Sequence, residues 1–447
     1  MGHDEWREVS LGDVLKIKHG WPFKSDLFSE ELAGRPIVVS IGNYRYTGGF
    51  RFDSTATKEY RGSYPKEFEL APGDILLVMT CQTEGGEILG IPARIPNDDR
   101  IYLHNQRLGK VVVTRPDLVS ADFLYWVFLW KDFNQELVAT ASGTKIVHTA
   151  PTRIEAFRFA LPPLNEQQKI ARILGALDDK IELNRRMNHT LEEMARAIFQ
   201  SWFVDFDPVT AKSEGRQPYG MNAETAALVP SALEDSSIGE VPRGWKVGSI
   251  LDFADLLSGG TPKTSIAEYW DGGISWVSAK DASSASDLLL LSTEKTVSQA
   301  GLENSATKLL PKYTTIVTAR GTVGAYCLLS REMAMNQTNY GLKAKEGIGD
   351  YFVFFSLMAL VEQLRQHAYG TIFDTITTKT FRDTYCIQPT QKLIGCFEQT
   401  VSPFMNAILT NLEQSRTLAA IRAALLPKLL SGEIRVKDAT DFQRISG

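Results

Sequence analysis

Residues 161–209 read LPPLNEQQKIARILGALDDKIELNRRMNHTLEEMARAIFQSWFVDFDPV, and the spacing inside this stretch decides what kind of molecule the chain makes. From Leu177 the inward-type residues recur at alternating steps of four and three: Leu177, Ile181, Asn184, Asn188, Leu191, Ala195, Ile198 and Trp202. Sustained over more than three heptads, that spacing is the seam of a coiled coil. Just upstream, Asn165-Glu166-Gln167-Gln168 has Asn at an N-cap position and Gln three residues later, a capping-box pattern that opens a helix. Gly175 is then expected to interrupt it.

The pattern returns in Phe404, Ile408, Asn411, Ser415, Leu418, Arg422, Leu425 and Leu429. An offset of 227 residues pairs Ile181 with Ile408, Asn184 with Asn411 and Leu191 with Leu418, and also Pro162 with Pro389 and Gly143-Thr144 with Gly370-Thr371. Such constancy marks an internal repeat. In the second copy Ser402-Pro403 stands near the point of Gly175, and Ser at the N-cap with Pro at the first helical position predicts a fresh helix there. Pro427 is expected to end or kink that helix. The polar seam positions Asn184/Asn411 and Asn188/Ser415 cost stability but can specify register and partner. The two helices are therefore expected to pack on each other or on a common partner, against the alternative of two amphipathic helices on separate domains.

Working outward, EWREVSLGDVL at 5–15 matches GWKVGSILDFA at 244–254, with Trp6 near Trp245, and Asn105-Gln106 has a counterpart in Asn336-Gln337. The offset drifts in these earlier parts, so the loops of the two copies differ while the helical tails keep register. Strand-like runs at Ile75–Met79, Lys110–Thr114 and Thr315–Thr318 lie among Gly, Pro, Asn and Asp turns, and apolar helices are expected near Ala121–Trp130 and Tyr351–Leu364. Residues 207–240 carry six acids against two bases and few large apolar side chains, which suits a connector running over the surface. The expected fold is α+β: two tandem mixed domains at 1–158 and 241–386, helical segments at 159–206 and 387–447, a linker at 207–240, and the helices packed as an antiparallel coiled coil in a pseudo-twofold repeat.

Composition bounds the function. At roughly 150 residues per domain, 447 residues make two to four domains. An apolar fraction of 43% with 23% charged residues excludes a disordered or fibrous chain. A formal charge of −5 excludes DNA binding by bulk positive charge, so any basic surface must be local. Cys81, Cys327, Cys386 and Cys396 form no CxxC pair and read as free thiols in a reducing cytoplasm. The polar start MGHDEWREVS does not read as a signal peptide, and the longest apolar run, Phe123–Trp130, is too short to span a bilayer. A soluble cytoplasmic protein with no membrane contact is expected.

Several chemistries lack their residues. Neither Gly259–Ser265 nor Arg320–Gly324 completes the GxxxxGK[ST] pattern of a phosphate loop, and both read as turns. Pro162-Pro163 is flanked by Leu161 and Leu164, not by the Asn/Asp and aromatic residue with which an amino-methyltransferase holds a flipped base. The histidines His3, His19, His104, His148, His189 and His367 are scattered, so no metal site is indicated. Asp178-Asp179 and Glu192-Glu193 read as solvated helix charges. The chain is expected not to be an enzyme on its own.

The stretch 161–209 closely resembles the central conserved region of specificity (S) subunits of type I restriction–modification systems, and the second copy, ending LLPKLLSGEIRV, resembles that family's C-terminal conserved region. GEVPRGWKVGSILDFADLLSGGTPKTSIAEYWDGGISWVSAKD, TARGTVGAY and MNQTNYGL resemble the opening and core of the family's target recognition domains. The first domain departs from this, with KHGWPFKSDLF and MTCQTEGGEILG in the corresponding places. The resemblance implies a non-catalytic subunit that recognises a bipartite, asymmetric target in double-stranded DNA. It also implies two methyltransferase (M) subunits that carry S-adenosylmethionine and methylate adenine, and restriction (R) subunits that bring ATP and Mg for cleavage. No cofactor is expected on this chain. Two other readings remain: a pure assembly scaffold, and a specificity module of a bifunctional type II system.

Side chains that read base edges pair Arg or Lys with guanine and Asn or Gln with adenine. Loops of that composition supply the candidates Lys18, His19, Trp21, Asn43, Arg45, Gln82, Asn105, Gln106, Arg107 and Lys145 in the first domain. The second supplies Thr261, Lys263, Lys280, Arg320, Thr322, Asn336 and Gln337. Each of these competes with a plainer role as a solvated or loop-bracing residue. From Leu177 to Trp202 is 26 residues, about 39 Å of helix, close to the roughly 34–36 Å of one DNA turn. The helices are thus expected to space the two readers, and outward Arg172, Lys180, Arg185, Arg186 and Arg196 to dock M subunits.

Overall fold

The computed structural model describes residues 6–436, except 55, 82, 84, 144, 145, 286, 287 and 368–374, with the backbone alone at 366 and 367. The chain forms two compact units, Met1–Lys180 with Leu418–Gly447, and Ile181–Thr417. Both divisions fall inside long helices.

In the first unit Arg7–Ser10 pairs antiparallel with Arg158–Leu161, Arg7 opposite Leu161. A four-stranded sheet follows in the order Leu15–His19, Leu108–Val113, Ile75–Val78, Pro92–Arg94. All four residues of Ile75–Val78 are buried, as an uninterrupted apolar run requires of a central strand. In helix Ala121–Phe128 only the first two residues, Ala121 and Asp122, are exposed, and the apolar run Phe123–Phe128 is wholly buried.

The second unit repeats this plan. Lys246–Ser249 pairs antiparallel with Tyr385–Gln388, Lys246 opposite Gln388. Its main sheet runs Ala254–Ser258, Asn339–Ala344, Thr315–Thr318, Tyr326–Leu329, Leu289–Leu290. An apolar helix, Asp350–His367, closes it. After each opening strand the turn is tied by the same bond, Ser10 N to Asp13 at 2.7 Å and Ser249 N to Asp252 at 2.8 Å.

The long helices span Leu164–Phe203 and Gln391–Leu430, 40 residues each. Two sequence expectations are corrected here. Gly175 does not interrupt the first helix, and Ser402-Pro403 does not start a new one; the second helix ends at Leu430, within a turn of Pro427. A mid-helix Gly costs about 1 kcal/mol and Pro roughly 3, and burial of the inward faces along about eleven turns outweighs both. Ser402 Oγ donates back to Glu398 O at 2.6 Å, the bond of a helix-interior hydroxyl and not of a cap. The capping box is also displaced. The amides of Glu166 and Gln167 donate to Pro163 O, so the first helix opens ahead of Asn165.

None of the seam residues Leu177, Ile181, Asn184, Asn188, Leu191 and Ile198, nor Phe404, Ile408, Asn411, Ser415, Leu418 and Leu425, is exposed. Leu183, Met187 and Met194, between seam positions, are 42–44% exposed. The helices pair antiparallel. In the first unit Asp178 pairs with Arg422, while Leu425, Leu429 and Leu430 join the core of Ile170, Ala171 and Leu174. Buried Glu166 there accepts from Arg435 Nε and Nη2 at 2.9 Å, Trp6 Nε1 at 3.0 Å and Val436 N at 3.1 Å. In the second unit Asn184 Nδ2 donates to Ser415 Oγ at 3.2 Å and Asn411 Nδ2 to Asn188 Oδ1 at 2.9 Å. Each of those pairs is carried onto the other by the 227-residue offset. Further along, Phe199 and Trp202 meet Phe397.

Residues 207–240 do not run over the surface as a bare connector. They fold into helices Asp207–Ser213 and Ala223–Leu228 and a hairpin of Leu233–Ser236 with Gly239–Pro242. Of their apolar residues, Val209, Met221, Ala226 and Val229 are buried in the second unit's core, and that burial orders the segment.

Candidate nucleic-acid interface

A frame of main-chain hydrogen bonds is built twice. In the first unit Trp21 N donates to His104 O at 2.8 Å, Met79 N to Arg107 O at 3.0 Å, and Thr149 N to Met79 O at 3.0 Å. In the second, Gly260 N donates to Met335 O at 3.0 Å, Ala319 N to Thr338 O at 2.8 Å, and Ile376 N to Ala319 O at 3.0 Å. Asn105 Oδ1 accepts from Arg107 N and Asn336 Oδ1 from Thr338 N, both at 3.1 Å. The frame thus draws together the end of the first sheet strand, the end of the central strand and the Asn-Gln loop.

Gly20 and Gly259 make this closeness possible. A Cβ on Gly20 would lie 2.3 Å from the carbonyl of Asn105, and one on Gly259 would lie 2.2 Å from that of Asn336. Neither position admits a side chain without moving the loop.

The frame sorts the candidates. Lys18, His19, Trp21, Gln106 and Arg107 come together on the first unit's frame and are exposed. Thr261, Lys263, Arg320, Thr322 and Gln337 are exposed on the second, where Thr261 Oγ1 donates to Gln337 Oε1. The side chains of Lys18, Arg107, Lys263 and Arg320 form no ion pair among the described residues, and cations of this kind suit an anionic partner. Trp21 lies with its ring 5.3 Å from Phe68 and about one-third exposed.

Other candidates have internal tasks. Asn43 is wholly buried. Its Oδ1 accepts from Ser40 N at 2.9 Å and its Nδ2 donates to Thr57 Oγ1 at 3.1 Å and Arg51 O, so it is a brace and not a reader. Asn105 and Asn336 hold their own loops, and Lys280 is paired with Glu294 at 2.7 Å. Arg45 is half-buried in a turn closed by Gly48 N to Arg45 O. Gln82, Lys145, Thr144 and Gly370-Thr371 lie outside the described residues. Buried His104 donates through Nε2 to Leu108 O at 2.9 Å, and burial pushes it down to about 4, so it is neutral near pH 7.

Beside Asn105–Arg107 opens a cleft of about 530 Å³ walled by Phe23, Ser25, Ser40, Gly42 and Lys58. Sequence reading did not single out Ser25 or Lys58, although Ser25 closely follows the Lys18–Trp21 loop. Among the described residues no group of three or more His, Cys, Asp or Glu could hold a metal ion. No helix there is long and apolar enough to cross a membrane.

The family model described as "Type I restriction modification DNA specificity domain" matches residues 3–193 and 242–414. The HindI specificity subunit of Haemophilus influenzae is 25% identical over 96% of this chain and 100% of its own length. The MjaIX specificity subunit of Methanocaldococcus jannaschii is 24% identical over 72% of this chain and 71% of its own. Among solved structures, the S subunit of a type I restriction–modification system from M. genitalium has the same fold, with a TM-score of 0.58 and 13% identity, covering 96% of this chain and 97% of that one.

Proposed function

The chain belongs to the family of type I restriction–modification DNA specificity subunits, and from that premise we propose that it reads a bipartite, asymmetric target in duplex DNA, one half with each unit. Members of the family recognise DNA sequence and carry no catalytic residues. The observation that supports a two-part target is the duplicated frame: the main-chain bonds recur while the exposed side chains on them differ, with Lys18, His19, Trp21 and Arg107 in one unit and Thr261, Lys263 and Arg320 in the other.

In this reading the long helices set the gap between the half-sites. Their outward faces, with Arg172 and Arg186 exposed, dock two M subunits, which methylate adenine with S-adenosylmethionine. R subunits add ATP- and Mg-dependent cleavage to the cytoplasmic complex. Because the target base must leave the helix for the M subunit, the task of this chain is to choose where that happens.

Methylome sequencing of cells carrying the M and S genes tests the reading. Two different short half-sites at a constant gap are expected. A palindromic or uninterrupted motif would overturn the bipartite reading, and methylation without sequence preference would make the chain an assembly scaffold.

A further inference from the structure

The duplicated frame ends differently in its two copies. Met79 and Ala319 occupy the same place, each giving its amide to the Asn-Gln loop and its carbonyl to the amide of Thr149 or Ile376. One residue later the copies part. Thr80 is buried, its Oγ1 lies 3.0 Å from His148 Nδ1, and Thr80-Cys81 pairs as a strand with Val147-His148. Arg320, at the equivalent position, is exposed and without an ion pair among the described residues.

The turn that carries Arg320 is braced from beneath. Thr318 is fully buried; its Oγ1 donates to Thr322 O and accepts from Ala325 N at 3.0 Å, and its carbonyl accepts from Gly324 N at 2.9 Å. Gly321 has φ +83°, and the space where a Cβ would stand is open to 4 Å. The amides of Arg320, Gly321, Thr322 and Val323 donate to no protein acceptor among the described residues. A guanidinium with no carboxylate partner among the described residues, beside consecutive amides that no described acceptor takes up in a glycine turn, has the chemistry of an anion receptor.

We propose that the Arg320–Val323 turn is a phosphate site, an anchor that takes one phosphodiester of the DNA backbone in the second unit and has no counterpart at Thr80 in the first. This rests on the chain being a DNA-recognition subunit. The anchor holds the duplex against the second unit without reading sequence, so the two halves of the target are gripped unequally.

The test uses the complex of this chain with its M subunits. Duplex affinity is measured across a salt series, on the methylome-derived target and on duplexes altered one base pair at a time. For Arg320→Ala, affinity is expected to fall by a similar factor on every duplex, and the slope of log affinity against log salt to shrink by about 0.9. Arg320→Lys is expected to retain the slope. Loss confined to one base-pair position would overturn the proposal by making Arg320 a base reader, and an unchanged slope in Arg320→Ala would overturn it outright. A wild-type complex that binds without sequence preference would instead sink the DNA-recognition reading itself. Copurification of each variant with the M subunits checks that it folds.

Discussion

Asn43 and Arg107 look alike as loop residues with base-reading chemistry, and the fold gives them opposite duties. Asn43 spends its amide on Ser40, Thr57 and Arg51 with no exposed surface. Asn43→Ala should cost about 1–3 kcal/mol in denaturant unfolding, because it strands buried partners, and should leave the methylated motif unchanged. Arg107→Ala, at an exposed site without an ion pair among the described residues, should shift stability by no more than about 0.5 kcal/mol while weakening methylation of the target. Composition cannot separate such pairs, since both side chains are polar and sit near glycine. What separates them is burial, which depends on residues distant in sequence.

Among the elements, the helix pair was the most legible, because a 4-3-4-3 spacing admits few other structures. The breaks expected at Gly175 and Ser402-Pro403 were misread, since local propensity says nothing about how much face a helix buries. In the seam, Asn188 and Asn411 satisfy each other at 2.9 Å. Asn411→Leu alone should lower the melting temperature, and adding Asn188→Leu should recover part of the loss by removing the stranded partner. Glu398 on the second long helix accepts from Phe352 N at 2.6 Å at the start of helix Asp350–His367. Burial, reinforced by Asp350, pushes its carboxyl up to about 7. The folded state therefore keeps a proton that the unfolded chain releases at the ordinary carboxylate pKa. Stability should fall as pH rises from about 4.5 to 7 and stay lower above that. Glu398→Gln should flatten that part of the curve in thermal melts taken between pH 4 and 8.

At the scale of the whole molecule, the repeat and its order of domains were readable from the 227-residue offset, whereas the fold of 207–240 was not. Scattered apolar residues such as Val209, Met221 and Val229 order that segment, and no periodicity marks them. The proposed ruler belongs to this scale. Inserting seven residues at matching seam positions in both long helices keeps the seam in phase and adds about 10 Å, roughly three base pairs at 3.4 Å each. Methylation should move to targets whose gap is longer by about that amount. A methylome that stays on the original gap would refute the ruler.

The frame that carries the exposed side chains is made of main-chain groups, two glycines and two asparagines that brace their own loops. The exposed side chains of Lys18, Arg107 and Lys263 take no part in those bonds. A lineage could therefore alter, or borrow wholesale, the taste of one unit while the other keeps its old preference, so that new methylation dialects arise by halves.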